Sequence, residues 1–447
     1  MFHVKHNSPH ILLINPWITD FASYNFWIKP LGLLNIASLL RKNGFRITLI
    51  DCIDSSIRTK EFGDGKLLKT RIDKPLPLKS IPRYYSQYGI PEEMLLKRLS
   101  LLEENPDLIG ITSGMTYWYP GVFKIVEMIK KFFKNTPVIL GGIYATLCHE
   151  HAKKYSGVDF VFKGNEESEA LKLFSDFTGF EVGSSEFRDP ESAICNEDYP
   201  AFDLYRELNY ICVATSKGCP FRCTYCASPL LSKDFVRRDP ADIVGEIEHW
   251  ITRYKVNNIA FYDDALLIDP SEHFVPMMKE LVKRGITCNF HTPNAIHIKE
   301  IDKEVADLLF HGGFRTIRLG FETSDQERQI ETGGKVNNQE FQQAVKLLAG
   351  AGYSSKEIGA YLIVGLPGQR AGEVEEAIAF VKETGATPML VEYSPIPNTP
   401  LFEKAKEMSP FDIENEPLFQ NNSILPCQWD GFTIGDYRRL RQGLRRE

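Results

Sequence analysis

Short apolar runs alternating with amphipathic helical segments leave this chain few folds to adopt. In its first part HILLINPW, RITLIDCID, DLIGITSGM, PVILGG and DFVFKG read as strands. PLGLLNIASLLRKNGF, PGVFKIVEMIKKFFKNT and ESEALKLFSDF read as helices between or after them, the first closed by Gly44. Strands that are apolar over their whole length are buried on both faces, which requires a parallel sheet covered by helices. The expectation is a flavodoxin/Rossmann-like open parallel sheet over residues 1–180. Ligands of such sheets bind outside the carboxyl ends of the strands, where Asn15, Ser113, Gly141 and Gly164 fall. A polar stretch from Ser55, broken by Pro75, Pro77 and Pro82, predicts a long excursion running into a helix at PEEMLLKRLSLLEEN.

Residues 181–209 lose the periodicity among Pro, Gly, Ser and acidic residues, as a linker does. Alternation then resumes. NYICVATS, NNIAFYDDALL, TCNFHTP, TIRLGFE, EIGAYLIVG and PMLVEYSP predict strands, with a helix after each of the first five. Six such units over 210–405 predict a partial (β/α)6 barrel, followed by a C-terminal segment, 406–447.

The chain has 447 residues, 43% hydrophobic and 25% charged, enough for more than one buried core. A formal charge of −7 offers no electrostatic basis for binding nucleic acid. The arginines of DYRRLRQGLRRE fit the solvated face of a last helix. No run approaches the roughly 20 apolar residues that span a bilayer, and MFHVKHNSPHILLINPW lacks the apolar core and cleavage site of a signal peptide. The expected location is cytoplasmic, where nine cysteines are read as ligands or core thiols rather than disulfides.

Three of those cysteines stand together in SKGCPFRCTYCASP: Cys219, Cys223 and Cys226, just beyond a predicted barrel strand and so on the catalytic face. Three thiolates on one loop can serve one metal centre. A four-iron cluster normally takes four protein thiolates, so three leave one iron open to a substrate or cofactor. A structural zinc site would need a fourth ligand, and His291, which could supply one, lies far along the chain. The other cysteines, Cys52, Cys148, Cys195, Cys212, Cys288 and Cys427, show no CxxC spacing.

This triplet, with Tyr225 just before its third cysteine, resembles the signature of the radical S-adenosylmethionine (SAM) enzymes, and similarity extends over about residues 205–405. The resemblance implies a [4Fe-4S] cluster held by Cys219, Cys223 and Cys226, with SAM on the open iron. FYDDALL takes the place of the segment that binds the SAM amino group, making Asp263 and Asp264 candidates. LGFETS resembles the segment that sets Glu322 and Thr323 near the ribose and carboxylate. GAYLIVGLPGQ resembles the one that sets Ile363 and Gly365 beside the adenine. Each has a plainer reading: the aspartates as a helix cap, Glu322 as an ion-pair partner of Arg318, the glycines as a turn.

The first domain resembles the cobalamin (B12)-binding domain fused ahead of many radical SAM barrels, through INPW, DLIGITSGMT, VILGGIYAT and DFVFKGNEES. That implies a pocket for the cobalamin nucleotide tail at Ser113, Thr116, Gly141, Gly142 and Gly164. The chain departs from the family at Asn165, where a glycine is common, and has no DxHxxG segment to offer a histidine to cobalt. Tyr117 or Trp118 would meet the corrin ring or simply pack. The resemblance implies a 5′-deoxyadenosyl radical, methylation of an unactivated carbon of a small-molecule, lipid or peptide substrate, and an electron donor such as flavodoxin or ferredoxin. Two other readings stay open from sequence: a radical oxidation, cyclisation or rearrangement, and a non-catalytic iron–sulfur redox sensor.

Overall fold

The structure is a computed structural model that describes residues 8–54, 60–182 and 199–445. Most of the expected linker, including Cys195, and the first residues of the polar excursion lie outside the described residues. The chain divides into two compact units, Met1–Leu208 and Asn209–Glu447.

The first unit is built on five parallel strands: β1 (His10–Asn15), β2 (Arg46–Asp51), β3 (Leu108–Ile111), β4 (Val138–Leu140) and β5 (Phe160–Val161). Their spatial order is β5-β4-β3-β1-β2. The order reverses between β1 and β3, which opens a crevice at their carboxyl ends. Every residue of β1 is buried because helices cover both faces of the sheet. On one side α1 (Leu31–Lys42) buries Leu33, Leu34, Ala37 and Leu40, and α2 (Tyr119–Phe132) buries Val122, Ile125, Val126 and Ile129 in a separate cluster.

The polar excursion holds structure that its sequence hides. Ile18–Asp20, Lys69–Ile72 and Tyr85–Tyr88 form a three-stranded antiparallel sheet, with Tyr85–Tyr88 in the middle. Residues 199–208 lie against this unit: Ala201 N donates to Leu34 O (3.1 Å), the Tyr205 hydroxyl to Asp51 Oδ2 (2.6 Å), and Arg41 pairs with Asp203.

The second unit is a six-stranded parallel sheet in sequential order: β6 (Ile211–Val213), β7 (Asn258–Phe261), β8 (Asn289–His291), β9 (Phe314–Glu322), β10 (Ile358–Val364) and β11 (Thr387–Glu392). Alternate residues of β9 face outward onto helices. The Phe321 ring stacks on Phe341 of α3 (Asn338–Ala351) at 4.1 Å and on Phe380 of α4 (Ala371–Thr384) at 5.6 Å. Residues of opposite parity, Arg318 and Gly320, therefore face the barrel interior. Beyond the barrel, short 3-10 turns lead to the last helix, Ile434–Arg445.

Phe321 is fully buried between two helices, and Phe321→Ala is expected to cost about 3–5 kcal/mol of unfolding free energy. Denaturant titration of the two proteins, followed by far-UV circular dichroism, measures it.

Candidate active site

The cysteine loop leaves β6, passes a short strand pair of Ser216–Lys217 with Val236–Arg237, and carries Cys219, Cys223 and Cys226, all partly exposed. It is fastened at several points. Cys226 N donates to Cys223 O (3.1 Å), closing a turn, and Ser228 N donates to Cys226 Sγ (3.4 Å). Thr224 N reaches Thr332 O (3.3 Å), and Thr224 O accepts from Leu401 N (2.9 Å). Phe221 stacks on His297 with ring centroids 4.5 Å apart.

Asp263, just past β7, fixes the start of the loop. Its buried carboxylate accepts from Thr215 N (3.0 Å), Thr215 Oγ1 (2.7 Å) and Ser216 Oγ (2.6 Å). These bonds commit Oδ1 to the chain itself, a role that neither a helix cap nor an open ligand site describes. Asp264 is exposed, takes one bond from Ser228 Oγ (2.6 Å), and lies close enough to Cys219 for its charge to bear on that thiol.

Burial pushes the Cys219 thiol up to about 11 and raises Cys223 too, while the Lys335 ammonium and a hydrogen bond to Tyr225 pull Cys223 back. Ligand thiols must lose their protons, so metal uptake releases protons here. Among the described residues no three His, Cys, Asp or Glu groups converge on one ion. A four-iron cluster takes one thiolate per iron. The donor set of three partly exposed thiols on one pinned loop fits the cluster.

Lys335 went unnoticed in the sequence because it sits in a loop, ETGGKVNN, without periodicity. It forms a largely buried ion pair with Glu322, which displaces the expected partner Arg318. Burial disfavours the Lys335 charge, but Glu322 and Cys223 outweigh it and its pKa is raised. Glu322 sits at a register shift between β9 and β10 with φ of +69°, a conformation that costs a non-glycine residue about 1–3 kcal/mol. Thr323 is buried, accepting from Asp325 N (3.2 Å) at its hydroxyl and from Gln329 Nε2 (2.8 Å) at its carbonyl.

At the end of β10 the Gln369 side chain, buried and also missed, accepts from Gly365 N (2.8 Å) and donates to Ile363 O (3.0 Å). These two main-chain groups are thereby engaged within the turn. Tyr225 joins Ile363, Leu366, Tyr393, Phe402 and Trp429 in one apolar cluster, which also holds Cys427 of the C-terminal segment.

In the first unit the carboxyl ends of β3 and β4 are tied together. Ser113 Oγ donates to Gly141 O (2.6 Å) and accepts from Ala145 N (3.2 Å). Gly142 has φ of +95°, and a Cβ there would come within 2.4 Å of Ser113 O, so the glycine is demanded by two loops meeting. Gly164 is different: a Cβ there would meet nothing within 4 Å, and its N–H reaches Thr146 Oγ1 (3.2 Å), which in turn donates to Gly142 O (2.9 Å). Thr116 is buried, and Gly141 and Gly164 follow β4 and β5 at the carboxyl edge of the sheet. Trp118 donates to Asp20 Oδ2 (2.8 Å) and packs beside Ile18, Ile53, Leu67 and Tyr88; Tyr117 is buried. Both rings pack into their own unit.

The family model of the Radical SAM superfamily matches residues 213–381, and that of the B12 binding domain matches residues 91–173. An uncharacterized methyltransferase, PH0819 of Pyrococcus horikoshii, is 24% identical over 78% of this chain and 77% of its own length. The anaerobic magnesium-protoporphyrin IX monomethyl ester cyclase of Cereibacter sphaeroides is also 24% identical, over 78% of this chain but only 62% of that longer protein. Among solved structures, the radical S-adenosylmethionine methyltransferase TsrM from Kitasatospora setae, with cobalamin and a [4Fe-4S] cluster bound, has a similar fold. Its TM-score is 0.65 at 16% identity, covering 91% of this chain and 80% of that one.

Asp263→Ala strips donors on two successive residues of their acceptor, and about 2–4 kcal/mol of stability should be lost in the metal-free chain. Asp263→Asn, which keeps one acceptor oxygen, should lose less than half as much in the same denaturant titration.

Proposed function

Because the chain belongs to the radical SAM superfamily and joins that domain to a B12-binding domain, we propose that it methylates an unactivated carbon of a small-molecule substrate. The observation that carries this reading is the pinned loop with three partly exposed thiols. Cys427, which shares an apolar cluster with Tyr225, is fully buried, with its thiol facing Ala405 O (4.0 Å). Three loop thiolates on a four-iron cluster leave one iron for SAM.

When bound, the cluster and SAM supply a 5′-deoxyadenosyl radical, and methylcobalamin supplies the methyl group. The protein's part is placement. Cys219, Cys223 and Cys226 hold the cluster, and Asp263 keeps their loop from shifting. Asp264, exposed beside Cys219, meets the SAM ammonium. The Glu322–Lys335 pair presents one charge of each sign, with Lys335 suited to a carboxylate and Glu322 to ribose hydroxyls. Ile363 and Tyr225 give the adenine an apolar wall. In the first unit Thr116, Gly141 and Gly164 line the nucleotide tail, and Ser113 and Gly142 hold that edge together.

Among the described residues no helix is long and apolar enough to cross a membrane. We place the enzyme in the cytoplasm, served by a flavodoxin- or ferredoxin-like donor. The cyclase relative favours a second reading, in which the radical oxidises or cyclises its substrate without methyl transfer.

Anaerobic protein given iron, sulfide, SAM, reductant and hydroxocobalamin should release both 5′-deoxyadenosine, from reductive cleavage of SAM, and S-adenosylhomocysteine, as a second SAM methylates the reduced cobalamin. Replacing Cys219, Cys223 or Cys226 by alanine should cut 5′-deoxyadenosine release by more than about 100-fold, since electron delivery then has no cluster to start from. Release of 5′-deoxyadenosine alone, with substrate turned over, would sink methyl transfer and keep the radical. Tightly bound zinc, or a cluster with four protein ligands, would sink both.

A further inference from the structure

Arg318 lies on the inner face of β9, and its guanidinium has no carboxylate to pair with among the described residues. Its NH1 donates to Ile317 O (2.8 Å) and the guanidinium hydrogen-bonds the Tyr361 hydroxyl, so neither of its protein acceptors carries a charge to match its own. The nearest acid along the strand, Glu322, is committed to Lys335. A partly buried guanidinium left in this state is costly unless something negative joins it.

The surroundings are shaped around it. On the neighbouring strand the residue in register is Gly359, and a Cβ there would come within 3.0 Å of Arg318 NH1 and 2.7 Å of Met389 Sδ. The glycine makes the room the guanidinium occupies. Tyr361, the next inward residue of β10, stands within reach of the guanidinium and donates its hydroxyl to Pro293 O (3.2 Å). His291 is fully buried between Thr316 and Asn258, and burial, with Arg315 and Arg318 adding, pushes it down to about 4. It is neutral at pH 7 and adds no competing charge.

We propose that Arg318 is an oxyanion anchor inside the barrel, holding a carboxylate or phosphate of the methyl-accepting substrate, with the Tyr361 hydroxyl orienting the guanidinium. The proposal rests on the radical methylase reading and names its substrate class: a small molecule carrying an oxyanion. An anion in the barrel has two sources, the substrate and the SAM carboxylate, and position separates them. Lys335 Nζ stands over Gly320 and its charge acts on Cys223, which puts the amino-acid end of SAM there. Arg318 is two residues back along β9, about 7 Å toward the amino end of the strand. A planar guanidinium fork suits carboxylate and phosphate equally.

The test uses the cluster-loaded full chain, with inorganic phosphate and acetate as probes against chloride at equal ionic strength. The wild type should show saturable thermal stabilisation by at least one probe, and in R318Q its apparent affinity should fall about tenfold or more. Should R318Q fail to fold, G359A carries the test, because its methyl displaces the guanidinium and should weaken the same response. Absence of a response in the wild type, or an equal response in the folded variant, overturns the anchor. Equilibrium dialysis with SAM gives the second arm: affinity within twofold of wild type in R318Q supports a substrate anchor, whereas a tenfold loss assigns the anion to SAM and overturns the substrate class. Release of 5′-deoxyadenosine by the wild type reports on the radical reading separately, so the two can fail independently.

Discussion

A loop that must leave three thiols reachable from outside cannot be held by its own packing, and here a single buried carboxylate holds it from behind. Asp263 gathers main-chain and side-chain donors of Thr215 and Ser216 immediately before the first cysteine. Because β6 and β7 are neighbours in the sheet, this ties the loop to the rigid part of the barrel. The carboxylate is buried and burial raises its pKa, against the hydrogen bonds that lower it. Its worth lies in geometry rather than in net free energy: a buried acid surrounded by donors specifies one arrangement of the loop, and any slippage would strand the donors.

The charges nearest the thiols follow from the same constraint. Cluster assembly adds negative charge to a partly buried site, and Lys335 is the cation whose charge bears on Cys223. Glu322 keeps that ammonium in place at the expense of a strained backbone, an arrangement characteristic of functional sites. The pair is poorly explained as a source of stability, because burying two charges roughly cancels their attraction. It is better explained by position: the pair keeps a cation beside the cysteine loop, with an acid next to it.

Much of the fold was legible because the apolar runs are long and uniform: β1, β10 and the helices between the barrel strands stand where the periodicity put them. The antiparallel sheet at Ile18–Asp20, Lys69–Ile72 and Tyr85–Tyr88 was not, since its strands are short, polar in part and separated by prolines. The site divides along a similar line. Cys219, Cys223 and Cys226 announce themselves by spacing, whereas Lys335 and Gln369 act through partners that only the folded chain brings to them. Ser113 and Gly142 also bond or press against each other's loops, a contact that periodicity could not show because it is set by the steric demands of close strand-end turns.

Gln369 shows how a turn can alter the chemistry of recognition without touching the ligand. By taking the Gly365 N–H and the Ile363 carbonyl, it fixes the bend after β10 and removes two hydrogen-bonding groups from the wall expected to meet adenine. What remains there is the Ile363 side chain, in an apolar cluster with Tyr225 and residues of the C-terminal segment. Such a wall holds a flat base by contact area, which is indifferent to the pattern of donors and acceptors on its edge. Selectivity for SAM must then come mainly from the charged end, where Asp264, Glu322 and Lys335 stand. The second unit thus carries charge beside the cysteine loop, at Asp264, Glu322 and Lys335, and an apolar surface around Ile363 and Tyr225.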